Sequence, residues 1–593
     1  MPAAPFWGAR RSAPDEWSLA LWAPSASAIR LELEGLDLPM VRGADGVHRC
    51  IARASEGGLY RFRAGDFRFA DPASLQQEGG VEGHSVLRDL APMTRRAQRA
   101  APGPFARQVI TEIHVGSFTR EGSFAAAART PELRRMAALG ITAIELMPLG
   151  QFPGTRGWGY DSVLPYAPQD SYGPPEDLAA LVDAAHRLGL LVYLDVVLNH
   201  FGPQGNALAR ICPEFFLAEE NDWGPRIDYS RPAARAFFVD CARHWLRHYH
   251  FDGLRIDAIQ EMKDDSALPI ETELALALRR EFPEVHLLAE DSRNRTAPYD
   301  PANRLYDAAW NDDYHHALHV HLTGESFGYY REFTLQPLRD LSVALRDGQA
   351  LQGQTRPDGS TAKGEPSAHL PPSRFINFNL NHDHAGNRPR GERLVSLVGV
   401  ERAQVAHALL LTAPYVPLLF MGEECGAQSA FPWFADYAGQ VAADMAEERR
   451  KQFRGLPGGG LDMLDPFDPA TATLAHPYAR PAPDQESWLD LTRRMLELRR
   501  QVLLPIYRTG RAHPATVVIT GPGALVADWH FRTGTVRAAL SFQPTSASAP
   551  DRTAPEGRTA LPLAALGEAG TPWFRLWLSR PTAPAPAPRP SAQ

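Results

Sequence analysis

Two periodicities divide this chain. From residue 1 to about 100, apolar and polar side chains alternate, as in Trp17-Ser-Leu-Ala-Leu-Trp22, Ile29-Arg-Leu-Glu-Leu33 and Leu59-Tyr-Arg-Phe-Arg63. A period of two between Gly, Asp and Pro turns predicts short antiparallel strands with one buried face, hence a β-sandwich. Ala101-Pro-Gly-Pro104 reads as a linker. From about 108, apolar runs alternate with amphipathic stretches. Strands are expected at 109–115, 141–147, 190–197, 252–257, 285–290, 306–310, 375–379 and 415–421. Helices are expected at 131–139, 175–189, 232–249, 269–282, 331–347, 399–412 and 487–502. Strands of this kind, mostly followed by helices, close best as a parallel barrel, here 101–505. Residues 506–580 return to strand-like alternation, as in Thr516-Val-Val-Ile-Thr520. The fold class is therefore α/β: a central (β/α)8 TIM barrel with an N-terminal β-sandwich (1–100) and a small C-terminal antiparallel β domain. Residues 201–231 are expected to be long and irregular, and 349–373, rich in Gly, Pro and Ser, a mobile loop. The Pro/Ala-rich segment 581–593 reads as a disordered tail.

Length and composition agree with this division. A chain of 593 residues is too long for one compact core. Its 44% hydrophobic and 22% charged residues are those of an ordinary soluble protein. A net charge of −8 argues against nucleic acid or an anionic membrane as partner and suits a neutral substrate. Cys50, Cys212, Cys241 and Cys425 are scattered and form no CxxC pair. A disulfide framework or zinc site is therefore not expected, and reduced thiols in a cytoplasm are. The N-terminus lacks a basic start followed by an apolar run, so no secretory signal is expected. The most membrane-like stretch, 404–421, contains His407, Pro414 and Pro417 and divides into a helix and a strand.

Four segments at strand ends carry the chemistry: Leu194-Asp-Val-Val-Leu-Asn-His200, Gly253-Leu-Arg-Ile-Asp257, Leu287-Leu-Ala-Glu-Asp291 and Asn379-Leu-Asn-His-Asp383. Catalytic groups of such barrels sit at the C-terminal strand ends. Arg255 and Asp257 are two residues apart, so on a strand both face the barrel mouth, where the guanidinium favours an ionised carboxylate. An ionised, positioned carboxylate is what a nucleophile on an anomeric carbon requires. Glu290 follows an apolar run, and partial desolvation raises a carboxyl pKa into the range of a general acid. A retaining pair would lie roughly 5–5.5 Å apart. Asp383 is the third carboxylate, suited to stabilising an oxocarbenium-like transition state, with Asp195, His200 and His382 positioning hydroxyls around the same ring. Alone, each residue reads more simply as a cap, an ion pair or a core histidine. Together, on strands three, four, five and seven, they read as a retaining glycosidase.

These segments resemble the conserved regions of the α-amylase family, glycoside hydrolase family 13, over essentially the whole barrel. The resemblance implies that Asp257 is the nucleophile, Glu290 the acid/base and Asp383 the stabiliser. It also implies that Arg255, His200 and His382 bind substrate, and that Tyr160 in Gly157-Trp-Gly-Tyr-Asp161 is the platform beneath the sugar. Trp310-Asn-Asp-Asp-Tyr-His-His316, Asn381-His-Asp-His-Ala-Gly-Asn387 and Phe431-Pro-Trp-Phe-Ala-Asp436 resemble a trehalose-releasing branch of the family. The implied substrates are maltooligosyltrehalose and maltooligosaccharides, cut at the α-1,4 bond next to the terminal trehalose unit. Asp312, Tyr314, His316, Trp433, Phe434 and Asp436 are the candidates for the trehalose side, with ordinary packing as the competing reading of each. Tyr437, His384 and Gln260 depart from the family pattern. No cofactor and no required metal are implied, because the insertion after strand three offers no carboxylate cluster. A monomer, or at most a weak dimer, is expected. The alternatives are a glucan branching transferase on the same scaffold, a general α-amylase or debranching enzyme, and a glycan-binding barrel that has lost catalysis.

Overall fold

The computed structural model describes residues 6–94, 101–221, 223–454, 462–544, 560–568 and 570–580. The tail expected at 581–593 lies outside the described residues. At the centre is a closed barrel of eight strands: β1 (Ile110–Ile113), β2 (Ala143–Leu146), β3 (Leu191–Val196), β4 (Gly253–Ile256), β5 (His286–Ala289), β6 (Ala308–Trp310), β7 (Phe375–Phe378) and β8 (Val416–Phe420). All neighbouring pairs are parallel, and Ile110 of β1 pairs with Leu418 of β8 to close the ring. Each strand lies within one of the eight expected apolar runs. Such runs are apolar at nearly every position because helices cover the outside and side chains fill the inside. Ile110, Ala143, Tyr193, Leu288 and Leu418 pack together within one inner cluster. Gly253 is required for close approach: a Cβ there would lie 2.4 Å from the His286 carbonyl oxygen on β5.

The covering helices are α1 (Pro131–Leu139), α2 (Pro175–Arg187), α3 (Pro232–Tyr249), α4 (Ile270–Glu281), α5 (Asp312–Thr323), α6 (Pro337–Asp347), α7 (Val400–Thr412), α8 (Gly439–Gln452) and α9 (Gln485–Leu498). Their ends carry local signals. Thr130 caps α1 by accepting from Glu132 N, Pro131 occupies its first turn, and Gly140 ends it in the left-handed region. Two helices were absent from the expectation. α5 is buried on nearly every face, so it shows no amphipathic period, and α8 buries only Ala446.

N-terminal to the barrel, a four-stranded and a six-stranded sheet form the sandwich. Trp17, Leu19, Leu31 and Phe62 are among its fully buried residues. Trp7 anchors it to the barrel, with its indole N–H donating to Ala233 O (2.9 Å) and its ring packed on Phe215 and Phe237. At the other end, a five-stranded antiparallel sheet covers α6, where Trp529 Nε1 donates to Leu345 O (2.9 Å).

The two expected loops prove more ordered than their composition suggested. Residues 201–231 include the hairpin Phe216–Asn221/Gly224–Ile227. The 349–373 segment is pinned rather than free. Asp313 Oδ2 accepts from Ala350 N, Leu351 N and Asn294 Nδ2 at 2.7–2.8 Å, and Arg356 pairs with the buried Asp340. Among the described residues no helix is long and apolar enough to cross a membrane.

Candidate active site

The barrel register assembles the site. Asp195 on β3 and Arg255 on β4 are cross-strand partners, and Ile256 pairs with Ala289 of β5. The residues that follow, Asp257 and Glu290, therefore emerge side by side at the C-terminal mouth. Arg255 is fully buried and fixes three carboxylates at once. Its Nη1 donates to Asp195 Oδ2 (2.6 Å) and Asp257 Oδ1 (2.9 Å), and its Nη2 donates to Glu290 Oε2 (2.7 Å). The guanidinium lies over the Trp310 ring, 4.1 Å from the centroid.

Asp257 is held from its other side by Asn199, whose Nδ2 donates to Oδ2 (3.0 Å) and to the Asp257 carbonyl (2.9 Å). His200 contacts Asn199 Oδ1 through Nδ1 and reaches Tyr160 O through Nε2 (3.1 Å). The next residue, Ala258, adopts a left-handed conformation, φ 38° and ψ 52°. That geometry strains a residue with a Cβ. It is held because Ala258 N donates to Glu290 Oε2 (2.9 Å) and Ile259 N to Glu290 O (3.0 Å).

Burial pushes the Glu290 carboxyl up to about 8; Arg255 opposes the shift, and the Asp257, Asp383 and Asp312 carboxylates add to it. Asp195 is pushed up to about 6 by burial, against the pull of Arg255. His382 goes the other way. Burial disfavours its imidazolium, but the Glu112 and Asp383 carboxylates outweigh burial and hold it at about 9. Its Nδ1 lies 2.5 Å from Glu112 Oε1, and its backbone N donates to Glu112 Oε2 (2.9 Å). His382 stacks on Tyr160 with ring centroids 4.8 Å apart, and Tyr160 OH donates to Asp195 Oδ2 (2.6 Å). Asp383 sits in the short helix His382–Gly386, with His382 Nε2 3.4 Å from its Oδ1. Gly386 allows that helix to rest on Trp158, since a Cβ there would fall 1.9 Å from the indole ring.

All eight residues expected around one sugar ring, Asp257, Glu290, Asp383, Tyr160, Asp195, His200, Arg255 and His382, thus belong to one contact network. The trehalose-side candidates divide. Asp312 lies in the field of Asp383, and burial raises its carboxyl to about 7. His316 pairs through Nε2 with His384 Nε2 (3.1 Å) and stacks on Tyr329 (4.6 Å), beside the Asp383 turn. Trp433 is half-buried beneath the Arg449 guanidinium, 5.0 Å from the ring centroid. Tyr314 and Phe434 are corrections. Tyr314 is fully buried and points its hydroxyl at Asn379, and Phe434 packs into the core against His114 and Phe431. Neither offers a face to a sugar. Asp436 is a loop clamp: it pairs with Arg156 and accepts from Thr155 N (2.8 Å) and Oγ1 (3.0 Å).

Sequence reasoning assigned no such contact role to Asn199, Glu112 or Trp223. Asn199 lay inside a quoted segment and Glu112 inside the expected strand 109–115, where the period of two that turns Ile110 inward also turns Glu112 inward. Trp223, in the loop of the hairpin after β3, stacks on His200 with centroids 5.0 Å apart and stays 42% exposed, leaving ring surface for another flat partner. No sequence signal marked it.

Comparisons with known proteins show the family of the chain. Residues 130–212 and 207–454 match the family model described as alpha amylase, catalytic domain. A malto-oligosyltrehalose trehalohydrolase of Deinococcus radiodurans is 39% identical over 488 residues, 81% of this chain and 80% of that protein. One of Saccharolobus solfataricus is 33% identical over 73% of this chain and 78% of that protein. A crystal structure from Salmonella typhimurium, assigned as an alpha amylase, superposes with a TM-score of 0.91 at 37% identity, covering 97% of this chain and 100% of that one.

Proposed function

Because the chain belongs to the α-amylase family, and within it to the malto-oligosyltrehalose trehalohydrolases, we propose that it hydrolyses the α-1,4 bond next to the terminal trehalose unit of maltooligosyltrehalose and releases trehalose. The observation that carries the chemical part of this reading is the Arg255 guanidinium, which binds Asp257 and Glu290 through its two adjacent terminal nitrogens. Two carboxyls bridged by one fork suit the ~5–5.5 Å spacing of a retaining pair better than the wider ~6.5–9.5 Å spacing of an inverting one.

In this mechanism Asp257 Oδ attacks the anomeric carbon while Glu290 gives its proton to the glycosidic oxygen. The C–O bond breaks and trehalose leaves carrying that proton. Glu290, now ionised, takes a proton from water, whose oxygen displaces Asp257 and frees the shortened maltooligosaccharide. The burial that raises Glu290 to about 8 keeps it protonated for the first step. Asp383 faces the positive charge that develops on the ring, and the stacked Tyr160–His382 pair forms an aromatic floor beside it. Asp312, His316 and Trp433 remain the proposed contacts to the trehalose unit. A cytoplasmic monomer suits a neutral, soluble glucan substrate.

The experiment offers maltooligosyltrehalose, plain maltooligosaccharide and amylose in parallel. Free trehalose from the first, with little turnover of the second, is the expected result. New α-1,6 branches in amylose would replace this reading with the transferase. Equal cleavage of all three would replace it with a general amylase, and binding without turnover with an inactive receptor.

A further inference from the structure

The segment after β8 places one cation at the barrel mouth that the mechanism above does not use. Arg449 lies on α8 with its guanidinium carbon 5.0 Å from the Trp433 ring centroid and 5.1 Å from that of Phe453. Its hydrogen bonds go to neutral oxygens. Nη1 donates to Asn387 Oδ1 (2.7 Å) and Gln452 Oε1 (3.1 Å), and Nη2 donates to Gly386 O (2.9 Å). Two of these three acceptors belong to the end of the short helix that carries Asp383: Gly386 is its last residue and Asn387 its C-cap.

An amide has an accepting end and a donating end. With Oδ1 taken by Arg449, the NH2 of Asn387 must face the other way, and there Nδ2 donates to Asp383 Oδ1 (3.3 Å). The Asn387 backbone N donates to Asp383 O (2.8 Å) as well. Both side-chain contacts to Asp383, Asn387 Nδ2 and His382 Nε2, are long, and the carboxylate is 36% exposed, so its rotation is only lightly restrained. A reversed amide would turn oxygen toward carboxylate and repel it. Arg449 therefore decides whether Asn387 holds Asp383 or pushes it away. Burial lowers the Arg449 pKa to about 10 while the Asp383 charge opposes that shift, consistent with the two lying in each other's field.

We propose that Arg449 is a positioning residue: acting through Asn387 it fixes the orientation of the Asp383 carboxylate, and so couples the segment containing Trp433 to transition-state stabilisation. This rests on the glycosidase reading of Asp383. Arg449→Gln, Arg449→Lys, Asn387→Ala and the Arg449→Gln/Asn387→Ala double variant are to be compared with the wild-type protein on maltooligosyltrehalose. Arg449→Gln and Asn387→Ala should each lower kcat by roughly tenfold or more while KM moves less than about twofold, the pattern of an interaction made in the transition state. Arg449→Lys, which keeps the charge but reaches one acceptor instead of a fork, should fall between wild type and Arg449→Gln. The double variant should be no worse than the poorer single one, because both break the same chain of contacts. Thermal unfolding of Arg449→Lys and Asn387→Ala provides the folding control. Effects that multiply in the double variant, or losses confined to KM, would overturn the inference. A wild-type protein that cleaves no α-1,4-glucan would overturn the functional reading beneath it, whereas an active wild type with kinetically unchanged variants would overturn the role of Arg449 alone.

Discussion

A buried carboxyl that must keep its proton works against the stability of the fold that holds it. Glu290 is raised from 4.5 to about 8, chiefly by burial. Between those two values the folded protein binds a proton that the unfolded chain has released. The contribution of Glu290 to stability is therefore full below about pH 4.5 and declines as pH rises toward 8. Glu290→Gln keeps an oxygen for Arg255 and Ala258 and has no proton to lose. It should stabilise the fold at pH 7–8 by on the order of 1–2 kcal/mol once partial exposure is discounted, read as a higher melting temperature, with the difference vanishing near pH 4. The same variant should lose activity on maltooligosyltrehalose by about 100-fold or more and recover with an activated nitrophenyl leaving group that needs no proton. For the wild type, kcat/KM should fall as pH passes about 8, because Glu290 then loses the proton it must donate; a profile level through pH 9 would remove Glu290 from the acid role. Ala258 carries the strain of the same corner. Ala258→Gly should stabilise by ~0.5–1 kcal/mol in denaturant titration, since relief of a left-handed Cβ exceeds the added chain entropy. The acidic and basic residues of the site were legible because each lies in or just after an apolar run. The left-handed turn after Asp257 was not, because it follows from how β4 and β5 meet and from no residue type.

Among the elements, α5 and the 349–373 segment depend on one side chain. Asp313, buried in the first turn of α5, receives two backbone N–H groups of that segment and the amide of Asn294. Asp313→Ala would leave the Ala350 and Leu351 N–H groups buried without this acceptor, at about 1–3 kcal/mol each, while Asn294 Nδ2 keeps its bond to Leu351 O (3.1 Å). The expected outcome is faster hydrogen exchange and proteolysis within 349–373, with a smaller change in global melting; protection equal to wild type would show that the segment is held by other contacts. Composition had suggested a mobile loop here, because Gly, Pro and Ser speak only to the chain's own preferences. The pinning comes from an aspartate some forty residues away in sequence. α5 escaped the periodic reading for a related reason. Asp313, His315, His316 and His319 are buried against Asn294, Tyr330, Glu325 and His384, and a helix that buries polar residues on several faces has no apolar stripe to detect.

Across the whole molecule, distant segments close the barrel. Arg499, fully buried at the end of α9, donates to Leu411 O (3.1 Å), Ala413 O (2.7 Å) and Tyr415 O (2.5 Å), tying the end of α7 to the entry of β8. Arg499→Met keeps much of the volume but orphans three carbonyls. It should destabilise the protein by roughly 3 kcal/mol or more in denaturant titration, with residual activity per folded molecule near wild type. Loss of activity without loss of stability would instead connect Arg499 to the chemistry. The N-terminal sandwich and C-terminal sheet are attached in the same manner, by the indole N–H groups of Trp7 and Trp529 reaching backbone carbonyls at barrel helices.

By itself the sequence determined the layer order, the eight barrel strands and the carboxylates at their ends. These depend on short-range periodicity and on the rule that polar side chains in apolar strands must point to a common mouth. Tertiary structure alone decided which of the remaining polar and aromatic residues turn into the core and which stay near the barrel mouth. Tyr314 and Phe434 turned inward, Asp436 became a clamp, and Arg449 reached Asn387 from a helix with almost no buried face. Those outcomes depend on contacts between residues tens to hundreds of positions apart, whose energies appear only when the chain is closed on itself.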